Sequence, residues 1–385
     1  MPIYHRLGRI PRKRHSIFRK EDGSLHPEQL VGNKGFVGIS SLLYHLHPPT
    51  RVLAVKHFAE VKVEEESRTA VQHRHFRAHR LAPGGSAILD RVPMLFNNDV
   101  TSYFVQPDRE DDFFYRNSQG DELVYVAEGA GHLETQFGRL PFVDGDYLVI
   151  PRGVLHRYRY TAGKAVKFLV LEARGCYAVP KRYRNEHGQL TENAPYSERD
   201  YKLPQAQEPK DEKGEFRILV KQREALTELT LDHHPLDVVG WDGYFYPWAI
   251  SIHDFEPRVG RFHLPPPIHQ QFECDGFVVC SFCPRPYDFD PESVPAPYNH
   301  SNVMSDEVLY YASADFMSRK GVEFGSVTLH PDGIPHGPHP GKTEDSIGAK
   351  ATDELAVMFD TFRPLKVAKN ILETEDREYF RSWID

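Results

Sequence analysis

Three side chains in the second half of the chain have the types and spacing of a metal site. His300 precedes Glu307 by seven residues, on a loop that leads into a predicted strand, and His336 follows after one predicted hairpin. Two imidazoles and one carboxylate on one face of a divalent ion leave coordination positions open for a substrate and for O2. That is the facial arrangement of non-haem iron(II) oxygenases, and iron(II) suits this mixed nitrogen and oxygen donor set.

Short strands and tight turns must position these residues. The sequence holds 30 Pro, 27 Gly and 21 His in 385 residues, with few long helical patterns, which predicts an all-β protein. Two segments look alike. Residues 114–126, a hairpin and residues 142–156 make the first; residues 297–311, a hairpin and residues 324–336 make the second. Each has a polar loop, an Asp-Glu pair, a strand rich in Val, Leu and Tyr, a second strand, a Pro/Gly turn and a His. Glu122 and His156 thus correspond to Glu307 and His336, and the repeat implies an internal duplication of a small β unit. In the first copy Arg116 stands where a ligand His would be, so that copy is expected to be structural and without metal. A polar, charged stretch at 196–214 is the natural linker. Residues 369–383 have helical spacing of apolar positions and predict a surface helix.

Composition removes other classes. Net charge is −8 and no basic, aromatic-interleaved face appears, so nucleic acid is not an expected partner. No run of 18 apolar residues exists, so no membrane span is expected. The basic first twenty residues lack an apolar core and read as a surface arm. Of the four cysteines, Cys280 and Cys283 form a CxxC inside an apolar run; as strand positions three apart they face opposite sides and read as buried residues. No export signal and few cysteines point to the cytoplasm.

The repeated pattern resembles the cupin superfamily of small double-sheet barrels. The resemblance implies a bicupin of two jelly-roll-like barrels with few short helices. Residues 1–200 would form the first barrel and its arm, and residues 201–385 the barrel that carries the iron. A narrower resemblance follows. Tyr298-Asn-His-Ser-Asn-Val-Met-Ser-Asp-Glu307 looks like the His-Arg-Asn-Cys-Met-Ser-Glu segment of homogentisate 1,2-dioxygenases. Thr328-Leu-His-Pro-Asp-Gly-Ile-Pro-His-Gly-Pro338 is similar to that family's Leu-His and Pro-His-Gly-Pro pieces, and Asp353-Glu-Leu-Ala-Val-Met-Phe-Asp360 to its near-terminal strand. Ser40-Ser-Leu-Leu-Tyr-His-Leu-His-Pro48 resembles its Trp-Leu-Tyr-Arg-Ile-Leu-Pro segment. The match is dense from about residue 263 to residue 359.

One extra residue before the acid leaves Asp306 and Glu307 both open as the ligand; the relation to the following strand, shared with Glu122, favours Glu307. The resemblance implies His263 as catalytic base, with His269 as the alternative position, and His330 as a substrate contact or a support for the ligands. Phe316 stands where longer members place a substrate-facing Tyr, and Arg285 and Arg319 are candidate partners for a substrate carboxylate. The implied reaction is iron(II)-dependent opening of homogentisate by O2 to maleylacetoacetate, a step of tyrosine and phenylalanine catabolism, in a homo-oligomer. The alternatives are a dioxygenase of a related diphenol such as gentisate or hydroquinone, and a non-catalytic or isomerase bicupin.

Overall fold

The computed structural model describes residues 3–68, 70–264, 266–313 and 316–384. Among these the fold is all-β. The one α-helix, Lys342–Ser346, has five residues, and the other helical turns are short 3-10 segments. Tight turns take up the glycines. Gly145 joins strands Gly138–Val143 and Asp146–Ile150 at φ +87, where a Cβ would lie 2.7 Å from the His253 ring.

The first unit packs two seven-stranded sheets face to face. One contains Ala130–Thr135, His156–Tyr160 and Phe114–Asn117; the other contains Asp146–Ile150, Asp121–Glu128 and Lys167–Ala173. Phe142 and Tyr158 of the first sheet meet Phe168 of the second at 5.8 and 5.2 Å between ring centroids. The second unit has a six-stranded sheet in the order Gln270–Cys274, Phe277–Phe282, Ala356–Thr361, Asp306–Tyr311, Ser326–His330, Arg74–Arg77. The sheets are open rather than closed into barrels. The two units also trade strands. Lys213–Gln222, Ala225–His233 and Trp248–Ser251 pair within the first unit, and Arg74–Arg77 pairs with Ser326–His330 of the second. The sheet boundary therefore does not coincide with residue 200.

The register reproduces the repeat. Glu122 lies opposite Ile150 and Glu172; Glu307 lies opposite His330 and Asp360. His156 pairs with Tyr115, and His336 pairs with His300. It is thus Tyr115, and not Arg116 as expected, that occupies the position of His300. Successive strand residues point to opposite faces, so the one-residue difference sends Arg116 out of the first unit's interior.

Two other expectations change. The predicted helix over 369–383 is two 3-10 turns, Lys369–Thr374 and Tyr379–Arg381. Between them Glu375 and Asp376 are held by Arg68, Arg74 and Arg77, and these ion pairs interrupt any continuous helix. The polar stretch 196–214 is laid along the first unit rather than hung between units: Gln205 exchanges backbone hydrogen bonds with Arg139, and Tyr196 and Tyr201 are buried. The cysteines are free; Cys280 and Cys283 are buried in different apolar clusters, as expected of opposite strand faces.

Candidate metal centre

Strand alternation separates the two candidate acids. On Asp306–Tyr311, Val308 and Tyr310 face the large core, where Tyr310 lies 6.1 Å from both Phe104 and Tyr125. Leu309 and Tyr311 face the other way, against Phe316 and Met358. Glu307 shares that second face and Asp306 does not. Asp306 instead accepts backbone N–H groups of Asp332 (2.8 Å) and Leu365 (2.6 Å), a loop-fixing role.

The two histidines arrive together. His300 and His336 exchange both backbone hydrogen bonds, at 2.8 and 2.9 Å. Each ring turns its Nδ1 to a nearby carbonyl, Tyr298 O at 3.1 Å and Ile334 O at 3.4 Å. That contact sets Nδ1 as the protonated nitrogen and leaves the Nε2 lone pair for another partner. His300 Nε2 lies 3.5 Å from Glu307 Oε2, and His336 Nε2 lies 3.2 Å from Oε1. The three donor atoms lie within 4.8 Å of one another.

The donor set fits a metal ion. His336 Nε2 is buried and makes no hydrogen bond, so it keeps an unused lone pair aimed into the cluster. Burial raises the Glu307 carboxyl, but the imidazoles of His330, His300 and His336 gathered around it outweigh burial and hold the group well below the ordinary value. The carboxylate is therefore ionised and ready to bind a cation. The nearby Glu307 carboxylate in turn raises His300.

Of the two places expected for His330, its contacts correspond to support of the ligands. It is fully buried, its Nδ1 lies 2.8 Å from Glu307 Oε1 and its Nε2 lies 3.3 Å from the Tyr379 hydroxyl. It does not line the adjoining cavity. Both ring nitrogens are engaged, so it orients the carboxylate rather than a substrate.

A cavity of about 160 Å³ opens onto His300 and Glu307, with Leu309, Phe316, Phe282 and Met358 among its walls. His263 and His269 both line it. His263 is exposed at the rim, edge-on to Tyr298 at 5.2 Å. His269 is buried and stacked on Phe282 at 4.6 Å; burial pushes its pKa down to about 3, so it is neutral at working pH. Arg285 is neutralised by Glu354 at 2.7 Å. Arg319 is buried, donates to Gly337 O at 2.6 Å and leaves its Nε without a partner.

Three supporting residues escape a reading by motif. His73, from the first half, donates to or accepts from no metal-site atom but contacts Pro335 O at 3.1 Å and stands edge-on to His330 and His336. Trp383 donates to Gly337 O at 3.0 Å, and Tyr379 reaches His330. No local pattern signals them, because they approach the site from distant chain segments. In the first unit Arg91 fills the corresponding place: it grips both oxygens of Glu122, each at 2.9 Å.

Several known proteins are similar to this chain. Residues 94–252 match the family model for the homogentisate 1,2-dioxygenase N-terminal region. That match falls on the first unit and so speaks for the scaffold. A Saccharolobus solfataricus protein named "Putative dioxygenase SSO1533" is 40% identical over 100% of this chain and 99% of its own length. A homogentisate 1,2-dioxygenase of Bradyrhizobium diazoefficiens is 30% identical over 73% of this chain, and the match spans 64% of that protein. A cupin 2 conserved barrel domain protein of Leptotrichia buccalis is 11% identical in structure comparison, covering 79% of this chain and 99% of its own, with a TM-score of 0.34. This chain therefore belongs to the family of the Saccharolobus protein named as a putative dioxygenase, and over most of its length it is similar to homogentisate 1,2-dioxygenases.

Proposed function

We propose that the chain is an iron(II)-dependent dioxygenase that opens the ring of a small dihydroxybenzene carrying an acidic side chain, with homogentisate as substrate and maleylacetoacetate as product. The observation that carries this reading is the convergence of two imidazoles and a carboxylate beside an apolar cavity of about 160 Å³, room for one aromatic ring and little more. His300, Glu307 and His336 would hold the ion. Bound iron supplies the electron transfer between ring and O2.

The protein's own groups do the rest. Leu309, Phe316 and Met358 orient the ring and exclude water. Arg319 takes the substrate carboxylate, because Arg285 is already paired. His263 takes the proton of the second phenol, and its exposed position lets that proton pass on to solvent. His269 and Phe282 stack as a flat wall beside the ring. The second reading is a diphenol other than homogentisate, such as gentisate. It is favoured by Phe316 in place of the expected Tyr, and by a full-length relative described only as a dioxygenase. Exposed Leu53 and Val55 on edge strand Val52–Glu60 support a homo-oligomer as the working assembly, which we place in the cytoplasm. Among the described residues no helix is long and apolar enough to cross a membrane.

Protein purified without O2 and loaded with iron(II) should consume O2 on addition of homogentisate, or of gentisate under the second reading. Tight iron binding with no O2 uptake from either compound would remove the proposal.

A further inference from the structure

Away from the metal centre, Arg116 carries a buried charge that no described residue pairs. On strand Phe114–Asn117, Tyr115 turns inward to Glu122, at 3.2 Å, and Arg116 turns outward with Phe114. Outward lies the four-stranded sheet of His5–Gly8, Val238–Gly243, Ser40–His45 and Glu28–Gly32. Between the sheets is a cavity of about 70 Å³ whose walls include Arg116, Gln136, Gln29, His45, Leu155 and Asp237.

No described residue answers the guanidinium. Among the described residues Arg116 makes no hydrogen bond and no ion pair, and its Nε is buried. Burial lowers its pKa, and no carboxylate opposes that shift. The one acid in the wall is committed elsewhere: Asp237 accepts from His45 Nδ1 at 2.7 Å and from the His47 backbone N–H at 2.8 Å. A second buried donor lines the same space, since Gln136 Nε2 also lacks a partner. Two unpaired buried donor atoms, one of them on a charged group, are costly unless an acceptor joins them.

We propose that this cavity binds a compact anion, a halide or a small oxyanion or carboxylate, through the Arg116 fork and the Gln136 amide. The volume sets the class. A water molecule's share of the liquid is about 30 Å³, so the cavity admits an ion of a few heavy atoms and excludes an aromatic ring. The anion would sit on the outer face of the first unit and neutralise a charge that the fold itself leaves open.

The test is thermal unfolding of the full chain and of Arg116→Met. Inorganic phosphate and chloride are titrated separately in a zwitterionic buffer, with ionic strength held by a salt whose anion is too large for the cavity. The wild type should gain at least about 2 °C in Tm, saturably, with one or both ions, because a ligand held only by the native state shifts unfolding by mass action. Arg116→Met should show no such gain, and without added anion it should unfold no earlier than the wild type. Equal responses of the two proteins, or no response of the wild type, would overturn the site. Should the variant fail to fold, bromide-soaked crystals of the wild type decide. An anomalous peak within hydrogen-bond distance of the Arg116 guanidinium supports the proposal, and an empty cavity defeats it.

Discussion

The two units place a buried glutamate at the same register position and answer its charge in different ways. Glu122 meets a cation that the chain supplies, the Arg91 guanidinium, with Asn117 Nδ2 at 2.9 Å and the Tyr115 hydroxyl at 3.2 Å completing its shell. Among the described residues Glu307 meets three imidazoles and no guanidinium or ammonium at ion-pair distance. Position for position, Tyr115 stands for His300, Ile150 for His330, and Glu172 for Asp360. Glu172 in turn is paired with Lys221. The first unit has thus filled every charge of the site with covalently attached partners, which makes it a rigid support. The second leaves neutral lone pairs around its carboxylate, and that is the condition for holding an ion from solution.

The sharpest way to break this contrast is to neutralise each glutamate. Glu307→Gln should lose the bound metal and with it essentially all turnover, measured by metal content and O2 uptake. Glu122→Gln should keep the metal and instead destabilise the protein by about 3–5 kcal/mol in urea unfolding, because Arg91 is left buried without its counter-charge. Metal loss of equal size in both variants would dissolve the distinction between the units.

Removing Arg91 tests the same idea from the other side. His156 Nε2 is buried and unpartnered beside Glu122, ready to serve as a donor. The double variant Arg91→Met, Tyr115→His should bind a second equivalent of divalent metal per chain, and unchanged stoichiometry would count against the correspondence of the two sites. The single variant Arg91→Met also carries a pH signature. Burial raises the Glu122 carboxyl, but Arg91 outweighs it and brings the pKa down to about 2 from 4.5. This depressed value contributes about 3 kcal/mol above pH 4.5, lost as pH falls toward 2. Without Arg91 the largest group opposing burial is gone and the carboxyl moves upward, so this loss on acidification fades. The wild-type advantage over Arg91→Met should therefore shrink between pH 7 and pH 4 in urea unfolding; an advantage independent of pH would show that Arg91 acts by packing.

How much of this was legible in the sequence follows from where the contacts lie along the chain. The nearness of His300, Glu307 and His336 was readable because they sit at fixed offsets within one hairpin repeat, and the all-β fold because turn residues punctuate short strands. The sequence favoured Glu307 over Asp306 through its likeness to Glu122, and the sheet supplies the reason, since pairing partners reveal which strand face each acid shares. The Tyr115 register was misread as Arg116 for the same reason: a one-residue shift is invisible in a loosely similar repeat yet reverses the side-chain direction. Arg91, His73, Tyr379 and Trp383 could not be read at all. Each reaches its site from a distant segment, and a lone Arg, His, Tyr or Trp carries no spacing signal.

Those distant residues predict smaller effects. His330→Ile imports the first unit's residue into the second, removing the 2.8 Å contact that orients Glu307. Metal affinity should fall about 10–100-fold, the usual worth of a group that holds a ligand in place, with the metal still bound at saturating concentration. Tyr379→Phe goes one contact further out. Its hydroxyl lies 3.3 Å from His330 Nε2, a long hydrogen bond, and its ring also packs on Trp383 at 5.4 Å, a contact that phenylalanine keeps. A single neutral hydrogen bond is worth about 0.5–1.5 kcal/mol, so metal affinity should fall no more than about tenfold, with KM for the substrate unchanged. A larger loss, or a change in KM alone, would mean that the C-terminal segment acts on the cavity and not through His330 on the glutamate that sets the second unit apart from the first.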